Sequence, residues 1–284
     1  MIVKKFAAVF IACYFANAHA QNNPTDSLRQ AIAKEKQDTS RVKLIINLGR
    51  EYLYSKPDST FLLSLEALSL ARRVHFVKGE ALSLTGLGDG YENLGNYPKA
   101  FENYFSALRI YEGLHYEVGI RRCLGVLGNL YAEEKDYRRA LEYSSKAKEM
   151  SKGNQDALCI HLLNMGDDYN ELGLFDSGKI YNQQSYELAK RINKIDIMGC
   201  ALINLGESQT GMNENSLALE YFRLGVPYLA QADDEDILCE AYMGMASLFR
   251  KADRFDSALH YAKASFATEQ NDNLPRRMYD AAFF

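Results

Sequence analysis

The chain has 284 residues, 47% of them apolar and 25% charged, with 33 Lys and Arg against 37 Asp and Glu and a net charge of −4. That balance excludes a disordered or fibrous chain. The acidic excess, with no Lys/Arg run interleaved with aromatics, excludes a nucleic-acid binder that works through a basic face.

Residues 1–20, MIVKKFAAVFIACYFANAHA, place Lys4 and Lys5 before an apolar run from Phe6 to Ala16 and end on Ala18-His19-Ala20. This is the layout of a secretory signal peptide cleaved after Ala20. The apolar run is well short of the roughly 20 residues that a spanning helix needs. Cleavage removes two lysines and no acids, which moves the net charge from −4 to −6. The alternative is a lipoprotein site at Phe10-Ile11-Ala12-Cys13 with Cys13 lipidated, although Phe10 stands where such sites prefer Leu. Either reading predicts an exported protein, periplasmic or in the cell envelope.

Residues 21–39 are expected to hold a linker and a capping helix, predicted over Thr25 to Lys36. Four of the five prolines (Pro24, Pro57, Pro98, Pro275) fall between or at the starts of helical patterns, which predicts an all-α chain. From residue 40 the sequence repeats. Gly49, Gly88, Gly128, Gly166, Gly206 and Ala246 are anchors spaced 38 to 40 residues apart. Each follows a Leu or Met, and Tyr52, Tyr91, Tyr131, Tyr169, Gln209 and Phe249 stand three residues later. Small residues recur twelve positions past the last five anchors (Ala100, Ala140, Gly178, Ala218, Ala258) and seven further on (Ala107, Ala147, Ser185, Gly225, Ser265). Within a unit, Leu84, Leu87, Gly88 and Tyr91 form one helical face. Gly95-Asn96 breaks the pattern, and Pro98 opens a second helix. Residues 40–272 are therefore six helix-turn-helix units. A glycine inside a helix costs about 1 kcal/mol against alanine, so another helix is expected to approach closely at each anchor. Residues 273–284 read as the start of an incomplete seventh repeat helix, as in a chain cut from a longer protein.

This register of Leu-Gly, Tyr three on, Ala twelve on and a small residue nineteen on resembles the tetratricopeptide repeat, over about residues 40–270. It departs from that pattern in three ways. Ile45, Leu84, Leu124, Leu162, Leu202 and Tyr242 stand where the family has Trp, the proline at the unit end is absent, and units are about 40 residues rather than 34. Units of that length are similar to the long-repeat branch that includes peptide-sensing regulators and kinesin light chains. The resemblance implies an all-α, right-handed α-solenoid with the first helix of each pair on the concave side.

Gly86-Leu87-Gly88-Asp89-Gly90 looks like a phosphate-cradling turn, but Tyr91 occupies the third glycine site of a dinucleotide fingerprint and no strand precedes it. His75 and His115 stand 40 apart at equivalent corners, and His161 and His260 are isolated, so no set has metal-ligand spacing. Cys123, Cys159, Cys200 and Cys239 fall one per unit. Equivalent positions on neighbouring helices are ~8–10 Å apart, beyond disulfide reach, which predicts buried free thiols. No catalytic constellation emerges, so neither an enzymatic activity nor a cofactor is expected.

Residues two before, one after and five after each anchor share a second helical face. It carries Asn47, Arg50 and Tyr54, then Asp89 and Asn93, Asn129 and Glu133, Asn164, Asp167 and Glu171, Asn204 and Glu207, and Lys251. Such a stripe is either a solvated face or a binding groove. Asn at one offset in three units (Asn47, Asn164, Asn204) favours the groove, because Asn both donates to and accepts from an extended peptide backbone. The acids at its middle favour a partner carrying Lys or Arg and disfavour capture of a free C-terminus. The expected function is protein or peptide binding, and the resemblance extends it to the sensor part of a signalling protein. The alternative is a scaffold subunit of an envelope or secretion assembly with no discrete ligand.

Overall fold

The computed structural model describes residues 24–53 and 55–272. The expected signal peptide, the alternative lipidation site at Cys13, the expected seventh-repeat helix at 273–284 and Tyr54 lie outside the described residues. Within them the chain forms thirteen helices and no strand: α1 Pro24–Lys34, α2 Asp38–Glu51, α3 Pro57–Arg73, α4 Val77–Asn93, α5 Tyr97–Gly113, α6 Glu117–Glu133, α7 Tyr137–Glu149, α8 Gln155–Glu171, α9 Phe175–Ile192, α10 Ile195–Gly211, α11 Asn215–Ala232, α12 Glu235–Lys251 and α13 Phe255–Asp272. The fold is an all-α repeat in which α2 to α13 form six successive pairs. None of these helices is long and apolar enough to cross a membrane.

Short corners make the pairing possible. At the first-to-second helix turns, Gly95 and Gly173 take φ of 67° and 71°, and Lys135, Asn213 and Asp253 take the same left-handed conformation. The amide of Asn96 then donates to the Tyr91 carbonyl at 2.8 Å, closing the helix end. The corners between pairs use His75, His115, Asn193 and Asp233, again left-handed. The two histidines spaced 40 apart are thus cap residues: the amide following His115, that of Tyr116, donates to the Tyr111 carbonyl at 2.9 Å. Asn96, Asp136, Asn154 and Asp234 cap the next helix with side-chain oxygens.

The chain divides into two compact units, Met1–Gly119 and Ile120–Phe284. In the first, each helix packs on the next, and α2 also touches α4. Its core is Val42, Ile45, Ile46, Ala67, Leu70 and Ala71, with Ile32 of α1 packed against it, so α1 covers the end of the stack. In the second, α8 touches α10 and α10 touches α12 as well as their hairpin partners, which makes the first helices of each pair one continuous layer. Ile203, Phe222, Leu229, Ala241, Met245 and Leu248 form the main apolar cluster there.

From Gly88 to Gly206 each anchor glycine meets first a side chain sixteen residues on, and the expected approach of a second helix's backbone is seen at Gly128, where a Cβ would lie 3.3 Å from the Ala140 carbonyl oxygen and the Ser144 nitrogen. A Cβ on Gly88 would lie 2.5 Å from the Tyr104 ring, and one on Gly206 would lie 2.7 Å from Phe222. The small residues support this contact from the side. Ala100, Ala107, Ala140 and Ala147 are fully buried, and Ser185 Oγ donates to the Cys159 carbonyl at 2.8 Å. All four described cysteines are free, Cys123, Cys159 and Cys239 buried and Cys200 half-buried.

Two substitutions at glycine-related positions should act in opposite directions in urea melts. Gly88→Ala gains about 1 kcal/mol of helix propensity but drives a methyl into the Tyr104 ring, so a net loss of about 2 kcal/mol is expected. His115→Gly relieves a left-handed non-glycine corner and should gain up to ~1 kcal/mol.

Candidate functional site

The stripe residues do not all face outward. In the first unit Asn47 and Arg50 stand exposed on α2. Asp89 was expected in the groove, but it is only 7% exposed and its Oδ1 accepts from Tyr104 Oη at 2.9 Å. Glu92 Oε2 accepts from the same hydroxyl at 2.5 Å. Burial, then the two carboxylates, push the Tyr104 phenol well above its ordinary pKa. Asp89 therefore holds the ring that lies over Gly88 and is turned away from a ligand. Asn93 is exposed, and its Nδ2 donates to the Asp89 carbonyl at 3.0 Å.

In the second unit the stripe is a continuous surface. Asn129 of α6 and Asn164 of α8 are joined by a 2.7 Å hydrogen bond from Asn164 Nδ2 to Asn129 Oδ1. Glu133, Asp167 and Glu171 are exposed, and Asn204 and Glu207 of α10 half-buried. Tyr137 Oη donates to Glu171 Oε2 at 2.8 Å. Burial, then the charges of Asp167, Glu240 and Glu171, raise Glu207 to about 8. Asp167 rises to about 6, through crowding by protein and then through Glu171 and Glu240, although its contact with solvent blunts its share. Asp167, Glu171 and Glu207 thus come together with Glu240 of α12. None of the first three has a cationic partner among the described residues.

Behind this acidic surface the core is polar where other repeats are apolar. Asn182 fills the space above Gly166 that Tyr104 and Phe222 fill in their own units. Its Oδ1 accepts from Asn204 Nδ2 at 3.5 Å, while its Nδ2 has no partner. Asn170 Nδ2 donates to the Asn204 carbonyl at 2.8 Å, and Asn170 Oδ1 accepts from Ser208 Oγ at 2.7 Å. Asp168 is 3% exposed, has no hydrogen bond among the described residues, and is raised to about 8 by burial and then by Asp167 and Glu171.

The other titratable core groups carry no chemistry of this kind. His161, 8% exposed, packs where Gly125 leaves room, and burial and then Arg121 lower it to about 4, so it is neutral. Burial raises the Cys200 thiol to about 12, with Asp234 and Asp196 adding to it. Among the described residues no group of three or more His, Cys, Asp or Glu is arranged to hold a metal ion.

Residues 79–153 match the tetratricopeptide repeat family. Over those residues the chain is similar to the tetratricopeptide repeat family. No curated protein matches it in sequence. The apo form of RapI, 14% identical, superposes with a TM-score of 0.71 over 92% of this chain and 96% of that one. The Rap conjugation gene regulator of the plasmid pLS20, solved in complex with the Phr* peptide, is 15% identical with a TM-score of 0.64, covering 88% of this chain and 74% of that one. A signal transduction ATPase from Pyrococcus horikoshii with a tetratricopeptide repeat sensor is 16% identical with a TM-score of 0.66, covering 92% of this chain and 46% of that one. At these identities the likeness establishes the repeat fold and assigns no ligand.

Set in repeat register, the two residues missed in the sequence are intelligible. Glu240 lies six before its anchor, one helical turn beyond the offsets used to trace the stripe. Asp168 lies two after its anchor, where Leu130 and Leu248 are buried. An acid at a register that two other repeats fill with leucine was the available signal.

Asp168 gives a pH dependence with a definite sign. Its folded pKa of about 8 lies above its unfolded value, so the folded state holds more protons between about pH 4 and 8 and stability falls as pH rises through that window. Thermal melts should show a higher Tm at pH 5.5 than at pH 8.5. Asp168→Leu should narrow that gap and stabilise the protein at pH 8.5 by about 1–3 kcal/mol.

Proposed function

We propose that this protein binds an extended peptide or protein segment carrying Lys or Arg along the stripe of the second unit, and that it does so outside the cytoplasm, as a cell-envelope scaffold or as the sensor part of a signalling protein. The observation that carries the reading is the set of carboxylates Asp167, Glu171 and Glu207, which repel one another and lack a cationic partner among the described residues. A solvated face that only kept the protein soluble would intersperse both signs. Concentrating one sign raises the local density of oppositely charged ligands and steers their approach.

Asn129, Asn164 and Asn204 supply the second half of the interaction. The Asn129–Asn164 pair leaves Asn164 Oδ1 and both Asn129 Nδ2 protons outside its 2.7 Å hydrogen bond, so it can both accept from and donate to a backbone laid across it. A similar repeat fold, the pLS20 regulator, was solved holding a peptide, and the leader at residues 1–20 supports export.

A peptide array probed with the mature protein should favour basic extended sequences, with binding that weakens from 50 to 500 mM salt. The double substitution Asn164→Ala/Asn204→Ala should weaken the best peptide roughly tenfold, about 1.4 kcal/mol. Unchanged binding in that variant would remove the groove assignment. Cell fractionation tests the location separately, with the protein expected in the envelope fraction and its N-terminus at Gln21.

A further inference from the structure

Asp168 occupies a register that the flanking repeats of the second unit fill with Leu130 and Leu248, both buried, and with Ser208. Ser208 hydrogen-bonds to its neighbours, whereas the Asp168 carboxylate is 3% exposed and has no hydrogen bond or ion pair among the described residues. A carboxylate held out of water in that way is disfavoured unless a cation reaches it.

Asn164 and Glu171, one turn to either side of Asp168 on α8, bond to Asn129 of α6 and Tyr137 of α7, so Asp168 lies on the side of α8 toward those helices. Its charge is felt by Asp167 and Glu171 on its own helix and by Tyr137 of α7, whose hydroxyl bonds to Glu171. Glu207 of α10 and Glu240 of α12 act on Asp167 and on one another from the other side. Asp168, Glu171 and Tyr137 thus share the side of α8 toward α7, while Glu207 and Glu240 reach Asp167 from α10 and α12. None of the groups acting on these carboxyls is a lysine or arginine.

From this arrangement we infer that Asp168 is the floor of a subsite, flanked by Asp167 and Glu171 of its own helix, that takes one Lys or Arg side chain of the bound peptide. The inference rests on the peptide-binding reading above and adds the chemical identity of one anchoring group. An ammonium or guanidinium entering there replaces the missing partner of Asp168 and relieves its repulsion with the other two acids. Protons held by the cluster are released as the cation enters, which links the subsite to pH. A peptide's own N-terminal ammonium has the same chemistry, so the test must separate the two sources.

Isothermal titration of the mature protein at pH 7 with acetyl-hexalysine amide, acetyl-hexaglutamine amide and hexaglutamine amide with a free N-terminus provides that separation. Only the lysine peptide is expected to bind, with proton release visible as a heat that depends on the buffer's ionisation enthalpy. Asp168→Asn and Asp168→Leu should each weaken it by at least about tenfold and reduce the proton release. The leucine variant carries the residue of the equivalent positions 130 and 248, and its melt checks folding. Lysine-peptide binding equal in both variants overturns the subsite and leaves the groove standing. Binding of the free-amine glutamine peptide that depends on Asp168 overturns a side-chain occupant. Failure of every peptide, on the array as well as in titration, overturns the groove and the subsite together.

Discussion

The contact between an anchor glycine and the side chain sixteen residues later, made at Gly88, Gly128, Gly166 and Gly206, sets the geometry of those hairpins and, through it, everything they carry. With no Cβ at Gly88 or Gly206, the rings of Tyr104 and Phe222 lie directly against the first helix. That distance fixes which residues of the first helix face its partner and which face the next repeat. Where the sixteenth residue is aromatic, the seam is dry. Where it is Asn182, the seam admits Asn170, Asn204 and Ser208 as a hydrogen-bonded chain. A single change of residue type at one register thus turns a structural seam into a polar one.

That polar seam lies directly under the charged surface of the second unit, and each depends on the other. A buried amide chain positions the backbone of Asn204, one turn from Glu207. The carboxylates above it raise one another's proton affinity, which is a cost to the empty protein. Functional surfaces commonly carry such a cost because the residues that serve a ligand are not those that serve the fold. The first unit shows the other outcome of the same register: Asp89 has a partner in Tyr104, and its charge serves the hairpin.

The repeat period, the pair boundaries near Gly95-Asn96 and the buried small residues were legible because helical packing constrains residue size and spacing along the chain alone. The thiols were legible for the same reason. What the sequence could not reveal was direction. Asp89 and Asp167 share one offset, yet the first turns toward a tyrosine hydroxyl and the second toward solvent, because unit 2 has Asn182 where unit 1 has Tyr104. The histidine corners were similarly opaque: their spacing was visible, but a left-handed backbone at His75 and His115 is a property of the corner and not of histidine. Asp168 was hidden by its own register, which reads as core until its lack of a partner is seen.

The four thiols stand one to a repeat in α6, α8, α10 and α12, at Cys123, Cys159, Cys200 and Cys239, and they are not bonded to one another. Cys159 is closed off by Ser185, whose hydroxyl bonds to its carbonyl, and Cys239 by Ser265. A reagent can reach each buried sulfur only when that hairpin parts from its second helix. Alkylation at Cys123, Cys159 and Cys239 therefore times the opening of each one's own repeat, so the chain carries a local clock in three of its hairpins, read as the mass that alkylation adds.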